Sequence, residues 1–253
     1  MFKKTFFALS VIASFAACKK KVDPVPATPL TGICYLISFN EWGILYFNDY
    51  YDSNNRLDSL VTIGSPNTAI KMKYNASGKL IKALGYSGST NTLYHSFHYD
   101  ANSRRDKDTL YINTGSFVAD SVISYTYNVS GQITKADGIG ISSGNTGYIV
   151  YTYDADGNMI HEQRYYGTTL VATTNYTYDT KNYSSLFGSS DLISSIQKHN
   201  ILTQVVKDGT GTIDIHGSYT ATYTYNSNNY PITEIDNYQD GTSQTSPYTY
   251  ACK

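Results

Sequence analysis

A seven-residue unit, Tyr-x-Tyr-(Asp/Asn)-x-x-(Gly/Asn), recurs along this chain and constrains its fold more than any other feature. Clear copies begin at Tyr125, Tyr151 and Tyr223. Looser ones carry their second tyrosine at Tyr51, Tyr74, Tyr99 and Tyr178, and Tyr248-Thr249-Tyr250 is a truncated last copy. The second tyrosines follow one another at intervals of 23, 25, 28, 26, 25, 47 and 25 residues. The interval of 47 is nearly two periods, so a degenerate or replaced copy is expected between Tyr178 and Tyr225.

The unit encodes a hairpin. After each second tyrosine stands Asp52, Asn75, Asp100, Asn128, Asp154, Asp179 or Asn226, whose side chain can accept a bond from a backbone N–H two residues on. Three residues later comes Asn55, Gly78, Ser103, Gly131, Gly157, Asn182 or Asn229. Gly and Asn tolerate positive φ, and a type I turn followed by such a residue is a common hairpin connection. Ser103 is the exception and is expected to be strained or in a different turn. Upstream, Tyr219, Ala221, Tyr223 and Tyr225 alternate with Thr220, Thr222 and Thr224, the period of a strand with one buried face.

About 25 residues per unit hold two strands of ~8–9 residues and two turns, so the repeat predicts ~14–16 antiparallel strands in a meander. The expected fold is all-β: a closed or partly open, soluble β-barrel-like body over 33–253, with one short helix or irregular insert. Residues 183–204 break the pattern. There Ser190 and Asp191 precede Leu192, Ile193 and Ile196, which suits a capped helix or a long loop. A lipid-facing band would be aliphatic, whereas these strands alternate Tyr with Thr, Ser and Asn, so the Tyr face reads as the inside.

The first 32 residues speak of targeting. Lys3-Lys4, an apolar run from Phe6 to Ala17 and the small residues before Cys18 have the order of a secretory signal. The run is too short to span a bilayer. Phe15-Ala16-Ala17-Cys18 resembles the lipobox of bacterial lipoproteins, in which the cysteine carries acyl chains. The expected organisation is a signal over 1–17, a lipidated tether over 18–32 and the barrel beyond. It places the protein in the cell envelope, anchored to the outer membrane on its periplasmic or surface side. Net charge is −1, so nucleic acid and anionic lipid are poor electrostatic partners for the whole chain.

With Cys18 assigned to lipid, Cys34 and Cys252 remain, near the two ends of the barrel region. In an oxidising compartment such a pair tends to bond, which requires the first and last strands to meet. Two buried free thiols are the alternative.

The Tyr-x-Tyr-Asp-x-x-Gly unit resembles the YD repeat of Rhs-type proteins, which form β-rich shells. Only Asn55-Arg56-Leu57 and Gly78-Lys79-Leu80 approach the Gly-Arg-Leu that this group favours after the turn. The chain is more closely similar to small Gram-negative lipoproteins carrying a domain of unknown function described as porin-like in fold. The shared features are the lipobox, the degenerate Tyr-Asp hairpins, the late insert and Asn229-Tyr230-Pro231-Ile232. That resemblance implies a barrel-like body and no established activity.

Motifs of chemistry are weak. Gly140-Ile141-Ser142-Ser143-Gly144 matches G-x-S-x-G, but lies in an outer turn of a meander rather than a strand–turn–helix. Ser195-Ile196-Gln197-Lys198 matches S-x-x-K without a Lys-Thr-Gly partner. Asp154-Ala155-Asp156-Gly157 looks like half a calcium loop, yet Tyr165 stands where a bidentate Glu belongs. His95 and His98, three apart in a strand, face opposite ways, and no histidine has zinc-like spacing with cysteine. Asp58-Ser59-Leu60, Asp108-Thr109-Leu110 and Asp120-Ser121-Val122 resemble a short O-glycosylation signal of some Gram-negative exported proteins. No catalytic constellation, cofactor motif or metal set emerges, and the chain does not read as an enzyme. The expectation is a binding module for glycan, peptide or protein, touching membrane only through its anchor. A structural Rhs-like shell is the alternative. Of the 26 tyrosines, 13 belong to the repeat, which leaves residues such as Tyr165, Tyr166 and Tyr238 free to mark a site.

Overall fold

A computed structural model of the chain describes residues 34–41, 45–62, 68–141, 143–183 and 198–252, with 34–41, 45–47, 251 and 252 by backbone alone. The strands are β1 (Cys34–Glu41), β2 (Leu45–Tyr51), β3 (Leu57–Thr62), β4 (Thr68–Tyr74), β5 (Leu80–Ser87), β6 (Thr90–Tyr99), β7 (Arg105–Asn113) and β8 (Phe117–Tyr127). They continue as β9 (Ile133–Gly140), β10 (Thr146–Tyr153), β11 (Met159–Tyr166), β12 (Thr169–Tyr178), β13 (Ile201–Asp208), β14 (Tyr219–Tyr225), β15 (Pro231–Tyr238) and β16 (Ser243–Cys252). Each pairs antiparallel with its chain neighbours, and β1 also pairs with β16, so sixteen strands close into a barrel. No helix occurs among the described residues, and the helix expected over Ser190–Ile196 lies outside them.

Six of the repeat turns share one geometry. The opening Asp or Asn donates its N–H to the carbonyl four residues on at 2.8–2.9 Å, as in Asp52 to Arg56 and Asn226 to Tyr230. Its side-chain oxygen accepts from the N–H of that same fourth residue: Arg56 at 3.0 Å, Lys79 at 2.9 Å, Arg104 at 2.8 Å, Gln132 at 2.9 Å, Asn158 at 2.8 Å and Tyr230 at 3.0 Å. The residue between takes φ of 58° at Asn55, 82° at Gly78, 69° at Ser103, 79° at Gly131, 89° at Gly157 and 61° at Asn229. Ser103 is thus in the common turn and bears the strain expected of it. In all seven repeat hairpins the register then shifts at the second tyrosine, a β-bulge that brings the ring inward.

The bulged tyrosine joins one hairpin to the one before it. Tyr74 Oη donates to the Leu57 carbonyl at 2.7 Å, Tyr99 to Leu80 at 2.7 Å, Tyr153 to Ile133 at 2.8 Å and Tyr178 to Met159 at 2.5 Å. Tyr127 does the same to Arg105. Each of these phenols thus reaches back 17–22 residues, to a carbonyl just past the previous turn. Above these rings lie the cations that close the previous turn: Arg56 over Tyr74 at 4.4 Å, Lys79 over Tyr99 at 4.8 Å and Arg104 over Tyr127 at 4.8 Å. Behind them sit two apolar clusters, Leu57, Leu60, Met72 and Leu80 on one side and Tyr125, Ile133, Ala136, Tyr151 and Met159 on the other. Leu57 and Ile133, each 1% exposed, contribute about 1.5–3 kcal/mol apiece by burial.

Two expectations are corrected. No repeat is missing between Tyr178 and Tyr225: the interval is one period, β13 and β14, lengthened by the 22 residues that separate β12 from β13 and the ten that separate β13 from β14. Period counting sees chain length and cannot tell an extra strand from a longer loop. Correspondingly, residues 201–204 belong to β13 rather than to the insert, and Asn182 does not close a turn, because Asp179 bonds to the Asn200 carbonyl at 3.0 Å instead. The described ends of the insert are held by its neighbours. Asn182 Nδ2 donates to the Asn228 carbonyl at 2.7 Å, and Lys198 Nζ to the Asp156 carbonyl at 2.9 Å.

The barrel has two different rims. The repeat turns and both chain ends of the barrel, Cys34 and Cys252, share one rim, called the turn end here; the loops joining β3 to β4, β5 to β6 and so on form the far end.

Candidate functional site

Inside, strand parity sorts phenols and carboxylates onto one level. Tyr151 faces Glu162 across β10 and β11, Gln204 lies between Tyr176 and Tyr219, and Glu234 lies between Tyr223 and Ser246. Tyr223 donates to Glu234 Oε1 at 2.6 Å and lies 2.8 Å from the Ile201 carbonyl, while Tyr248 donates to Glu234 Oε2. Burial raises the phenols of Tyr151, Tyr176, Tyr219, Tyr223 and Tyr248 above their ordinary range, so all are neutral donors. Asp236, two residues along β15 on the same face, is 9% exposed. Burial first, then the Glu234 carboxyl beside it, pushes its pKa up to about 7. Arg164 donates to Glu162 Oε1 at 2.7 Å. Glu234 thus has both oxygens engaged by phenols, while Asp236 Oδ1 is buried without a hydrogen-bond partner among the described residues.

On the outer wall the same residue types do something else. Tyr94 and Tyr111, opposite each other on β6 and β7, stack with centroids 4.5 Å apart and planes at 15°. Lys82 Nζ lies 4.7 Å from the Tyr94 ring centroid, and Phe117 meets that ring edge-on at 5.0 Å. Tyr148 and Tyr165, opposite on β10 and β11, stack at 4.4 Å and 11°, with Lys135 Nζ 4.4 Å from Tyr148. The two Lys–Tyr–Tyr stacks are copies: Lys82 and Lys135 are 53 residues apart, and each tyrosine and its counterpart 54. Tyr86 repeats the theme in part, with Lys71 Nζ 5.1 Å from its centroid. These rings are half-buried, and exposed Phe117 and Ile139 stand beside them. Nearer the turn end the outward positions become Thr126, Thr152, Thr177, Thr222 and Thr224. The far half of this wall therefore offers aromatic edges and faces with ammonium groups, a chemistry suited to the C–H faces and hydroxyls of sugars.

The residues singled out from sequence fall as follows. Cys18, Ser142 and Ser195 lie outside the described residues. Cys34 and Cys252 are direct register partners on the seam that closes the barrel, and partners in an antiparallel pair have Cα atoms ~4.5–5.5 Å apart. Asp154 is engaged within its own turn by Asn158, through N at 2.8 Å and Nδ2 at 3.1 Å. His95 faces inward to Asp108 at 3.1 Å and His98 outward to Asp106 at 2.6 Å. Ser121 is buried inside at 4% exposure, so Asp120-Ser121 is closed to glycosylation in the folded barrel. Tyr166 donates to Asn145 Oδ1 at 2.6 Å, and Tyr238 packs against Tyr219 at 5.5 Å. Of these three tyrosines outside the repeat, Tyr165 alone joins an outward stack. Tyr94, Tyr111 and Tyr148 escaped the repeat-based reading; their signal was the second, 54-residue recurrence, two periods long.

No protein-family model and no curated protein matches the sequence. Among solved structures, the chain is similar to a porin-like protein from Bacteroides uniformis, with 13% identity over 89% of this chain and 98% of that one and a TM-score of 0.54. A porin-like protein from Bacteroides vulgatus aligns over 86% of this chain and 99% of its own at 13% identity, with a TM-score of 0.44. A Photorhabdus luminescens Tc holotoxin pore aligns over 80% of this chain and 9% of its own at 14% identity, with a TM-score of 0.33. The first likeness establishes a porin-like fold, and the other two are too distant to argue from.

Proposed function

We propose that this chain is a lipid-anchored cell-envelope protein whose barrel is a glycan-binding module, with the outward Lys–Tyr–Tyr stacks as its contact surface. The observation that carries this reading is the duplication of the stack on one outer wall. A ring needed only for packing belongs inside, where the repeat tyrosines are. The anchor fits the geometry: a tether from Cys18 joins the barrel at the turn end, and the stacks lie toward the far end, away from it. A Cys34–Cys252 bond would lock the closing seam in an oxidising envelope. The test is a glycan array followed by thermal shift on any hit. The reading requires Tyr111→Ala and Tyr165→Ala to lose binding while remaining folded; a hit unaffected by both would refute it. A structural shell is the second reading, supported by the inward phenol–carboxylate level, which is bonded to itself.

A further inference from the structure

The outer wall of β4–β7 carries an uncompensated positive charge. Lys73 and Lys82 are direct register partners on β4 and β5, with outward-facing side chains. β-carbons of such partners stand ~4.5–5.5 Å apart, and like charges placed there destabilise the sheet. Lys71 precedes Lys73 by two on the same face, and Lys107 faces outward on β7 opposite His98. None of these four lysines has an ion pair among the described residues. The carboxylates facing this wall are Asp106, taken by His98 at 2.6 Å, and Asp58, beside Ser59 at 3.4 Å. The ammonium groups of Lys71 and Lys82 lie instead over Tyr86 and Tyr94. A folded sheet that sets two lysines side by side without a counter-charge gains stability when an anion settles between them.

We infer that the Lys71–Lys73–Lys82 face with Tyr86, Tyr94 and Tyr111 binds an acidic glycan, its carboxylate or sulfate groups between the lysines and its sugar faces on the rings. This rests on the proposed glycan-binding reading and adds the charge of the ligand. The chain's net charge of −1 spoke against an anionic partner, but the local field of this wall has the opposite sign. A protein partner fits less well, because lysine is depleted at protein interfaces. A lipid surface fits less well, because Ser59, Ser96 and Thr109 stand among the lysines where a membrane-seated face would be aliphatic.

The experiment is binding calorimetry of the barrel with polygalacturonate and heparin, against fully methyl-esterified polygalacturonate and phosphatidylglycerol vesicles. The acidic polymers are expected to bind at least about tenfold more tightly than the ester, and more weakly at higher salt. The Lys73→Gln/Lys82→Gln variant should lose that preference and melt no lower than the parent. Equal binding of acid and ester, with the lysine variant unaffected and Tyr111→Ala defective, overturns the inference but keeps the glycan reading. Absence of binding to either acidic polymer or to the ester counts against both. Binding to vesicles alone overturns both in favour of a membrane-docking face.

Discussion

Tyrosines on the inner wall near the turn end and tyrosines on the outer wall toward the far end come from the same repeated hairpins, yet they stand in different relations to the fold. Five of the seven bulged inner tyrosines donate their hydroxyl to a backbone carbonyl of the preceding hairpin, as Tyr153 does to Ile133 at 2.8 Å, and Tyr225 donates to the Asp179 carboxylate instead. The outer pairs Tyr94–Tyr111 and Tyr148–Tyr165 touch each other and a lysine, and add no such link between hairpins. The contrast teaches that an abundance of one residue type can hold two populations. One is fixed by the sheet register, and the other is the one proposed for recognition.

The largest effect that could break this contrast is removal of a whole inner ring. Tyr153→Ala should cost ~3–5 kcal/mol in urea unfolding, as large-to-small changes in packed cores do. A loss under 1 kcal/mol would show that the inner ring is not structural. The inner carboxyls come next. Burial pushes Asp49 up to about 7, and burial with Glu234 does the same for Asp236. A carboxyl whose folded pKa is raised stabilises the fold below its unfolded pKa near 4, and that contribution is lost as pH rises through 7. Each three-unit shift corresponds to ~4 kcal/mol at most. Unfolding free energy should therefore fall between about pH 4 and pH 7. Asp49→Asn and Asp236→Asn should flatten that profile; an unchanged profile would mean that these groups titrate normally.

The proposed Cys34–Cys252 bond would contribute ~2–4 kcal/mol at the seam. Peptide mapping without reductant should find the two peptides linked, and unlinked peptides would remove the bond from the account. A smaller gain is expected at Ser103, held at a φ of 69°. Ser103→Gly should raise stability by up to ~1 kcal/mol, while Gly131→Ser should lower it by a similar amount.

How much of this was legible follows from range. Alternation in Tyr219–Tyr225 and the Asp-x-x-Gly spacing are local, so strands, turns and the inward Tyr face could be read directly. The turn opener was expected to bond two residues on, and Asp52, Asp179 and Asn226 do so; in every shared turn it also reaches the fourth, which the local spacing did not show. The link from Tyr74 to Leu57 spans 17 residues and depends on the register of a bulged pair, which no single unit displays. The interval of 47 hid longer connections on either side of β13 rather than a lost copy. The outer stacks needed cross-strand partners, Tyr94 with Tyr111 and Tyr148 with Tyr165, to be set before their pairing had meaning.

The most direct measurement compares the two walls with the least invasive change. Tyr→Phe removes only the hydroxyl, so unfolding free energies can be set side by side for Tyr74, Tyr99, Tyr153 and Tyr178 inside and Tyr94, Tyr111, Tyr148 and Tyr165 outside. The inner set should lose ~1–3 kcal/mol each, because a buried carbonyl is left without its donor. The outer set should stay within ~0.5 kcal/mol of the parent. Equal losses on both walls would contradict the division between tyrosines that build the barrel and tyrosines that it presents.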